Sequence, residues 1–303
     1  MEGESAVQGL ALNEKSADPA LARRACEALA EQTVLGRIGQ LEVRLAREEE
    51  EIAAAQAVRF RVFHQELGAR LPAITAQEER DADRFDAVCD HLLVIDTESA
   101  GPTEDRVVGT YRLLPQERAA MTGGFYSEDE FELNRLIERH HGRRFLELGR
   151  SCVLPAYRSR RTIELLWQGI WAYCRRYRFD VMTGCASFPG IVPAAHAQAL
   201  SYLSHFCRAE EPWDVRAKAH RYACMDLMPP EGVDARAALS AMPPLIKGYL
   251  RLGARFGEGC VIDHDFGTTD VLVVLPVEMI SQRYIAHYGA EAERFAVQDL
   301  DNR

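Results

Sequence analysis

The hydrophobic pattern tightens at residue 41. Leu41, Val43 and Leu45 alternate with Glu42 and Arg44, the period of a strand with one buried face. Glu48–Glu51 then gathers acids where a helix N-terminus favours negative charge. Ile52, Ala55, Val58, Val62 and Phe63 continue that helix to Gly68. Upstream, Asp18-Pro19 before Ala20–Leu35 predicts a capped short helix, ended by Gly36 and Gly39. Downstream, HLLVID at 91–96 and VVGTYRL at 107–113 predict an antiparallel strand pair around Gly101-Pro102. Ser127–Ile137 reads as short helix and Phe145–Val153 as a strand broken by Pro155. Thr162–Tyr177 is amphipathic, with Ile163, Leu166, Ile170 and Cys174 on one face. Phe179–Ala186 predicts a strand and Ala194–Phe206 a helix; the proline-rich stretch 210–245 gives no clear pattern. Leu245–Leu252 follows as helix, Cys260–Asp263 and Asp270–Pro276 as closing strands, and Glu278–Tyr288 as a last helix.

Strands interleaved with helices over 303 residues predict an α/β (α+β) fold with one mixed sheet. The expected organisation is a loose tail and short helix over 1–39, a main domain over 40–290 with a core at 40–190 and a C-terminal half at 191–290, and a tail over 291–303. The longest apolar run, Val271–Val277, is far short of the ~20 residues a membrane span needs. Residues 1–20 lack a basic start and an apolar core, so no secretion signal is expected. Eight scattered cysteines, none in a CxxC, point to free thiols rather than disulfides or a zinc site. The expected location is the cytoplasm, with peripheral contact at the inner membrane left open.

Charge sharpens the picture. The formal net charge of −10 argues against nucleic acid as a partner. The charge is polarised, however. Residues 135–178 hold eleven arginines and three acids, whereas 78–98 hold eight acids and two arginines. Such a chain can offer one surface to an anionic partner and another to a cationic substrate.

Several motifs carry chemistry. LGRSCVLPAYRSRRTIELL at 148–166 resembles the segment of the GCN5-related N-acyltransferase fold in which V-x-P-x-Y-R leads into a phosphate loop and a helix N-terminus. Val153, Pro155, Tyr157 and Arg158 stand in that order. The small residues of that loop are missing: Arg161 and Ile163 occupy their positions. Glycine lets backbone approach a phosphate closely, so a coenzyme A diphosphate is expected to fit less well. Arg158, Arg160 and Arg161 can instead hold the phosphopantetheine arm of an acyl carrier protein (ACP) and meet its acidic surface.

Arg59-x-x-x-Phe63-x-x-Glu66, Asp81-x-Asp83-x-x-Asp86, Gly109-x-x-Arg112-Leu113 and Glu147-x-x-Arg150 resemble the acyl-homoserine-lactone synthases, although no tryptophan lies between Leu67 and Phe85. A wider resemblance, over about 36–290, is to the ACP-dependent L-ornithine N-acyltransferases. It is carried by GRIGQLEVRLA, RFRVF, DRFDAVCDHLLV, GTYRLL, FYSEDEF, LELGRSCV, GCASFPG, PPLIKGYLRLG and TTDV. It implies transfer of a 3-hydroxyacyl group from ACP to the α-amine of L-ornithine, giving lyso-ornithine lipid, with no metal or other cofactor.

Under that resemblance the expected site is as follows. Glu147, mid-strand between Leu146 and Leu148, is the candidate base, or else the partner of Arg112 or Arg150. A bulge near Glu147–Ser151 would bring Glu147 and Arg150 to one cleft and offer backbone N–H groups to an oxyanion. Asp81, Asp83 and Asp86 are expected to hold the acceptor's side-chain ammonium, Arg59 or Arg112 its carboxylate, and Phe63 to line the site. Cys152 reads as a small buried thiol. His91-x-x-x-x-Asp96 reads as a strand-end histidine and a turn aspartate. The rivals are an acyl-homoserine-lactone-synthase-like enzyme and a non-enzymatic acyl-ACP or lipid-binding module.

Overall fold

The computed structural model describes residues 33–70, 77–280, 284 and 285. Their centre is one nine-stranded mixed sheet, ordered β1-β2-β3-β4-β5-β6-β9-β8-β7. The strands are β1 Val34–Ile38, β2 Leu41–Leu45, β3 Asp90–Asp96, β4 Val107–Pro115, β5 Phe145–Val153, β6 Val181–Pro189, β7 Tyr222–Ala223, β8 Arg255–Asp263 and β9 Thr268–Pro276. All neighbours are antiparallel except β5 and β6, which pair in parallel over Phe145–Glu147 and Val181–Thr183.

Helices cover both faces. The apolar runs of the central strands therefore alternate between two cores rather than between core and water. On β3, Leu92 and Val94 join the core under α3 (Arg160–Tyr177), whereas Leu93 and Ile95 meet Ala54, Ala55, Val58 and Val62 on the other face. Ala54, Ala55 and Val58 belong to α1 (Glu49–Arg59), which continues as a π-helix over Phe60–Glu66 that carries Val62. On β9, Val271, Val273 and Leu275 face one core and Leu272 and Val274 the other. Each such side chain, fully buried, contributes about 1.5–3 kcal/mol. Smaller helices α2 (Leu133–Arg139), α4 (Ala197–Phe206), α5 (Ala235–Ala241) and α6 (Pro244–Leu252) complete the layers.

Three expectations change. The predicted helix Ala20–Leu35 lies outside the described residues up to 32, and its end is strand: β1 pairs with β2 through a tight turn whose first residue, Gly39, has φ +60°. Gly39 turns a hairpin there instead of stopping a helix. Ile163, predicted on the buried face of α3, is 43% exposed, while Leu166, Ile170 and Cys174 are buried. Most of the predicted last helix falls outside the described residues; Val277–Met279 is a 3₁₀ turn. No helix among the described residues is long and apolar enough to cross a membrane.

Candidate active site

Beyond Glu147 and Thr183 the parallel strands β5 and β6 part. Gly184 stands at the parting with φ +147°, where a Cβ would collide with the Leu148 carbonyl oxygen. A cavity of about 360 Å³ opens there. Its lining includes Phe63, Tyr111, Arg112, the run Glu147–Ser151, Phe266 and Asp270. The carboxyl ends of parting parallel strands are a general place for a ligand.

The bulge expected in β5 is present. Thr110 pairs with Cys152 and Arg112 with Gly149, so Tyr111 faces Arg150 and Ser151 together. Arg150 takes the left-handed backbone conformation, φ +51°, which a bulky side chain rarely adopts. The bulge puts Glu147, Gly149, Arg150 and Ser151 all on the cavity wall. The Arg150 guanidinium lies 4.7 Å from the Tyr126 ring centre and 4.5 Å from that of Phe266, and its Nε has no hydrogen-bond partner.

Arg59 and the three aspartates behave otherwise than expected. Arg59 is fully buried and grips Asp86 with both terminal nitrogens, at 2.8 and 2.9 Å, and also bonds the Asp81 carbonyl. Arg112 donates to Asp83 at 2.6 Å and to Asp86 at 3.1 Å. Arg150 reaches Asp83 at 3.3 Å and Asp81 at 3.7 Å. Three arginines thus neutralise three aspartates. Burial alone would raise the Asp86 carboxyl, but the Arg59 hydrogen bond and the Arg59 and Arg112 charges hold it well below the usual range. Asp81, Asp83, Asp86 and Arg59 are outside the cavity lining, beside Arg112, which is in it. The π-helix explains the misplacement. Its i→i+5 bonds turn the helix face after Arg59, leaving Arg59 in the interior, Phe63 at the cavity and Glu66 exposed.

Glu147 is buried and ion-paired to neither Arg112 nor Arg150. Its carboxylate accepts from the backbone N–H groups of Tyr126 and Ser127, each at 2.8 Å, and from the Ser127 hydroxyl. Burial raises its pKa, against the pull of those bonds. The bonds tie β5 to the 3₁₀ turn Tyr126–Asp129.

Arg158 is salt-bridged to Glu66 through two 2.6 Å bonds and donates to the Val153 carbonyl. Arg160 pairs with Glu164 at 2.7 Å, and Arg161 is exposed. Ser159 caps α3, whose first turn carries no acid. None of the three arginines lines the cavity; they surround a helix N-terminus outside it. Cys152 is 6% exposed, and burial pushes its thiol up to about 12, which disfavours the thiolate. His91 bonds the Asp86 carbonyl and Asp96 the Tyr157 hydroxyl, at separate places.

Sequence reasoning missed Tyr126, Phe266, Asp263 and Asp270, all on the cavity wall, and Glu130 beside them. One signal was available. Asp270 opens the apolar run VLVVL just as Glu147 interrupts FLELG, and a carboxylate within such a strand asks for a reason.

The model of the acetyltransferase (GNAT) domain family matches residues 58–168. A Brucella abortus (strain 2308) protein named L-ornithine N(alpha)-acyltransferase is 62% identical over 262 residues, 86% of this chain and 93% of that protein. An Agrobacterium fabrum (strain C58) protein of the same name is 60% identical over 261 residues, 86% of this chain and 89% of the other. Among solved structures, the acyl-homoserine-lactone synthase LasI is 11% identical with a TM-score of 0.44, over 82% of this chain and 95% of that one. At the identity and coverage of those first two relatives, this acyltransferase belongs to the L-ornithine N(alpha)-acyltransferase family.

Proposed function

We propose that this enzyme transfers a 3-hydroxyacyl group from acyl carrier protein to the α-amine of L-ornithine. The observation that carries the reading is the β5 bulge, which lays Gly149, Arg150 and Ser151 along a cavity between parting strands. A bulge of this kind can turn backbone N–H groups toward a thioester carbonyl, at the oxygen where charge develops. The amine nitrogen attacks the carbonyl carbon, the C–N bond forms, and the tetrahedral oxyanion collapses with cleavage of the C–S bond. The thiolate takes up a proton and the amine gives one to solvent, so no metal or redox group is required.

Arg150 suits the acceptor's carboxylate. It lines the cavity with its guanidinium over the Tyr126 and Phe266 rings, and reaches Asp83 and Asp81 only at 3.3 and 3.7 Å. Arg112 stands beside it, already engaged with Asp83 and Asp86. Glu147 acts as a positioning residue: with both oxygens engaged, it holds the Tyr126–Ser127 turn against the bulge. The donor's carrier domain docks at the α3 N-terminus, where Arg160 and Arg161 add positive charge to the positive end of the helix dipole. Arg158, held by Glu66, shapes that surface from beside it.

Thiol release from 3-hydroxyacyl-ACP across a panel of amines tests the reading. Release that requires ornithine, and is faster than with the matched coenzyme A thioester, is expected. Equal rates with both donors would remove the carrier protein from the proposal. Release that requires S-adenosylmethionine would favour the lactone-synthase reading.

A further inference from the structure

Three acids gather at the cavity wall with one arginine, Arg221, on Glu130. Asp270 is 6% exposed, lines the cavity, and has an Oδ1 without a hydrogen-bond partner. Carboxylate oxygens of Glu130, Asp263 and Asp270 lie within 4.8 Å of one another. Glu130 is met by Arg221 at 2.9 Å and by the Cys185 thiol at 3.3 Å. Asp263 Oδ1 accepts from the backbone of Asp265 and Phe266. A buried carboxylate oxygen left unpaired is costly, and such a group is retained where a cation arrives to meet it.

Resting on the acylation of ornithine proposed above, we propose that Asp270, with Asp263 beside it, receives the side-chain ammonium of the diamino-acid acceptor. Two charged side chains of opposite sign then line one cavity: Arg150, which also reaches Asp81 and Asp83, for the carboxylate, and Asp270, whose Oδ1 has no hydrogen-bond partner, for the distal ammonium. A linear amino acid with a terminal cation answers both, whereas a metal ion answers one. Phe266, between Asp263 and Asp270 in sequence and stacked on Arg150, supplies an apolar surface for the methylenes. The titration of the cluster agrees. Burial and the Asp270 charge lift Glu130 to about 7; burial and the Asp263 charge lift Asp270 to about 6, against polar contacts of Ser187 and Thr268. An ammonium between these groups reverses the repulsion.

The experiment is a cross of variants and acceptors. Wild type, Asp270→Asn and Asp263→Asn are each assayed with ornithine and with norvaline, which lacks the terminal amine. The wild-type kcat/KM ratio of ornithine to norvaline should fall roughly 30-fold or more in Asp270→Asn, the size of a lost buried charge contact. Asp263→Asn, at a partly exposed position, should lower the ratio less and carries the test if Asp270→Asn does not fold. A ratio unchanged in a folded variant overturns the assignment. So does activity abolished by a chelator and restored by a divalent metal, which would make the cluster a metal site. Wild type that acylates no amine at all would instead strike at the proposed function itself.

Discussion

The aspartates packed behind β4 and β5 and those near β8 and β9 are the same chemical group in opposite circumstances. Asp81, Asp83 and Asp86 are matched one for one by Arg59, Arg112 and Arg150, and Asp86 is held ionised. Asp263, Asp270 and Glu130 share one arginine, Arg221, and two of them are pushed toward protonation. The first group is an internal brace that sets the pose of Arg150. The second is a charge waiting for a ligand. Sequence position marks neither role; both lie in acidic stretches.

Stability should separate the two regions most sharply. Arg59→Met strands buried carboxylates and should cost about 3–5 kcal/mol, read by chemical denaturation. Asp270→Asn, without substrate, should cost nothing or stabilise. Comparable losses in both would erase the distinction.

The same contrast should show in pH. Asp86 has a depressed folded pKa, so its contribution is present above the unfolded value near 3.8 and fades as pH falls toward the folded one. Asp270 is raised to about 6 from 3.8, so stability present at low pH is lost as pH rises between those values, by about 2–3 kcal/mol. Asp270→Asn should flatten that decline in the ligand-free protein. An unaltered pH–stability curve would show the group ionises normally.

Glu147→Gln replaces an acceptor facing three donors with an amide that must turn an N–H toward some of them. A loss of about 1–3 kcal/mol in stability is expected, with kcat reduced less than the ~10²-fold that removal of a general base brings. A stable variant with kcat down by more than that would reinstate Glu147 as base. The smallest effect concerns the outer surface: Arg160→Glu with Arg161→Glu should raise KM for acyl-ACP roughly tenfold through slower, salt-sensitive association, leaving Tm alone. An unchanged KM would move the docking site elsewhere.

The strands were legible wherever apolar runs were continuous or alternating: β5 lies at Phe145–Val153, and β3 and β4 form the expected antiparallel pair. β1 was not, because Gly36 and Gly39 end a helix or turn a hairpin with equal ease until a partner strand is known. At the site, the bulge that brings Glu147 and Arg150 together was implied by the resemblance to the fold, since their spacing alone points them to opposite sides of a regular strand. The place of Arg59 could not be anticipated, since i, i+4, i+7 neighbours share a face on an α-helix but not across the π-helix at Phe60–Glu66. Asp270 escaped notice because its neighbours Glu130 and Asp263 are far away along the chain or across a hairpin; only the sheet order brings them together.

That sheet order has a consequence for how the protein is made. β9, the last strand described, pairs with β6 along the whole of Val181–Pro189 and lies between β6 and β8. During synthesis, β1–β6 leave the ribosome with the β6 edge unpaired, an apolar template open to other nascent chains. The wall bearing Asp270 does not exist until residue 270 has emerged, so no amino-terminal fragment ending before β9 can hold the complete cavity. Stalled or truncated chains are therefore expected to be inactive and prone to associate through β6. Supplying the β8–β9 hairpin as a separate peptide is the natural way to rescue them.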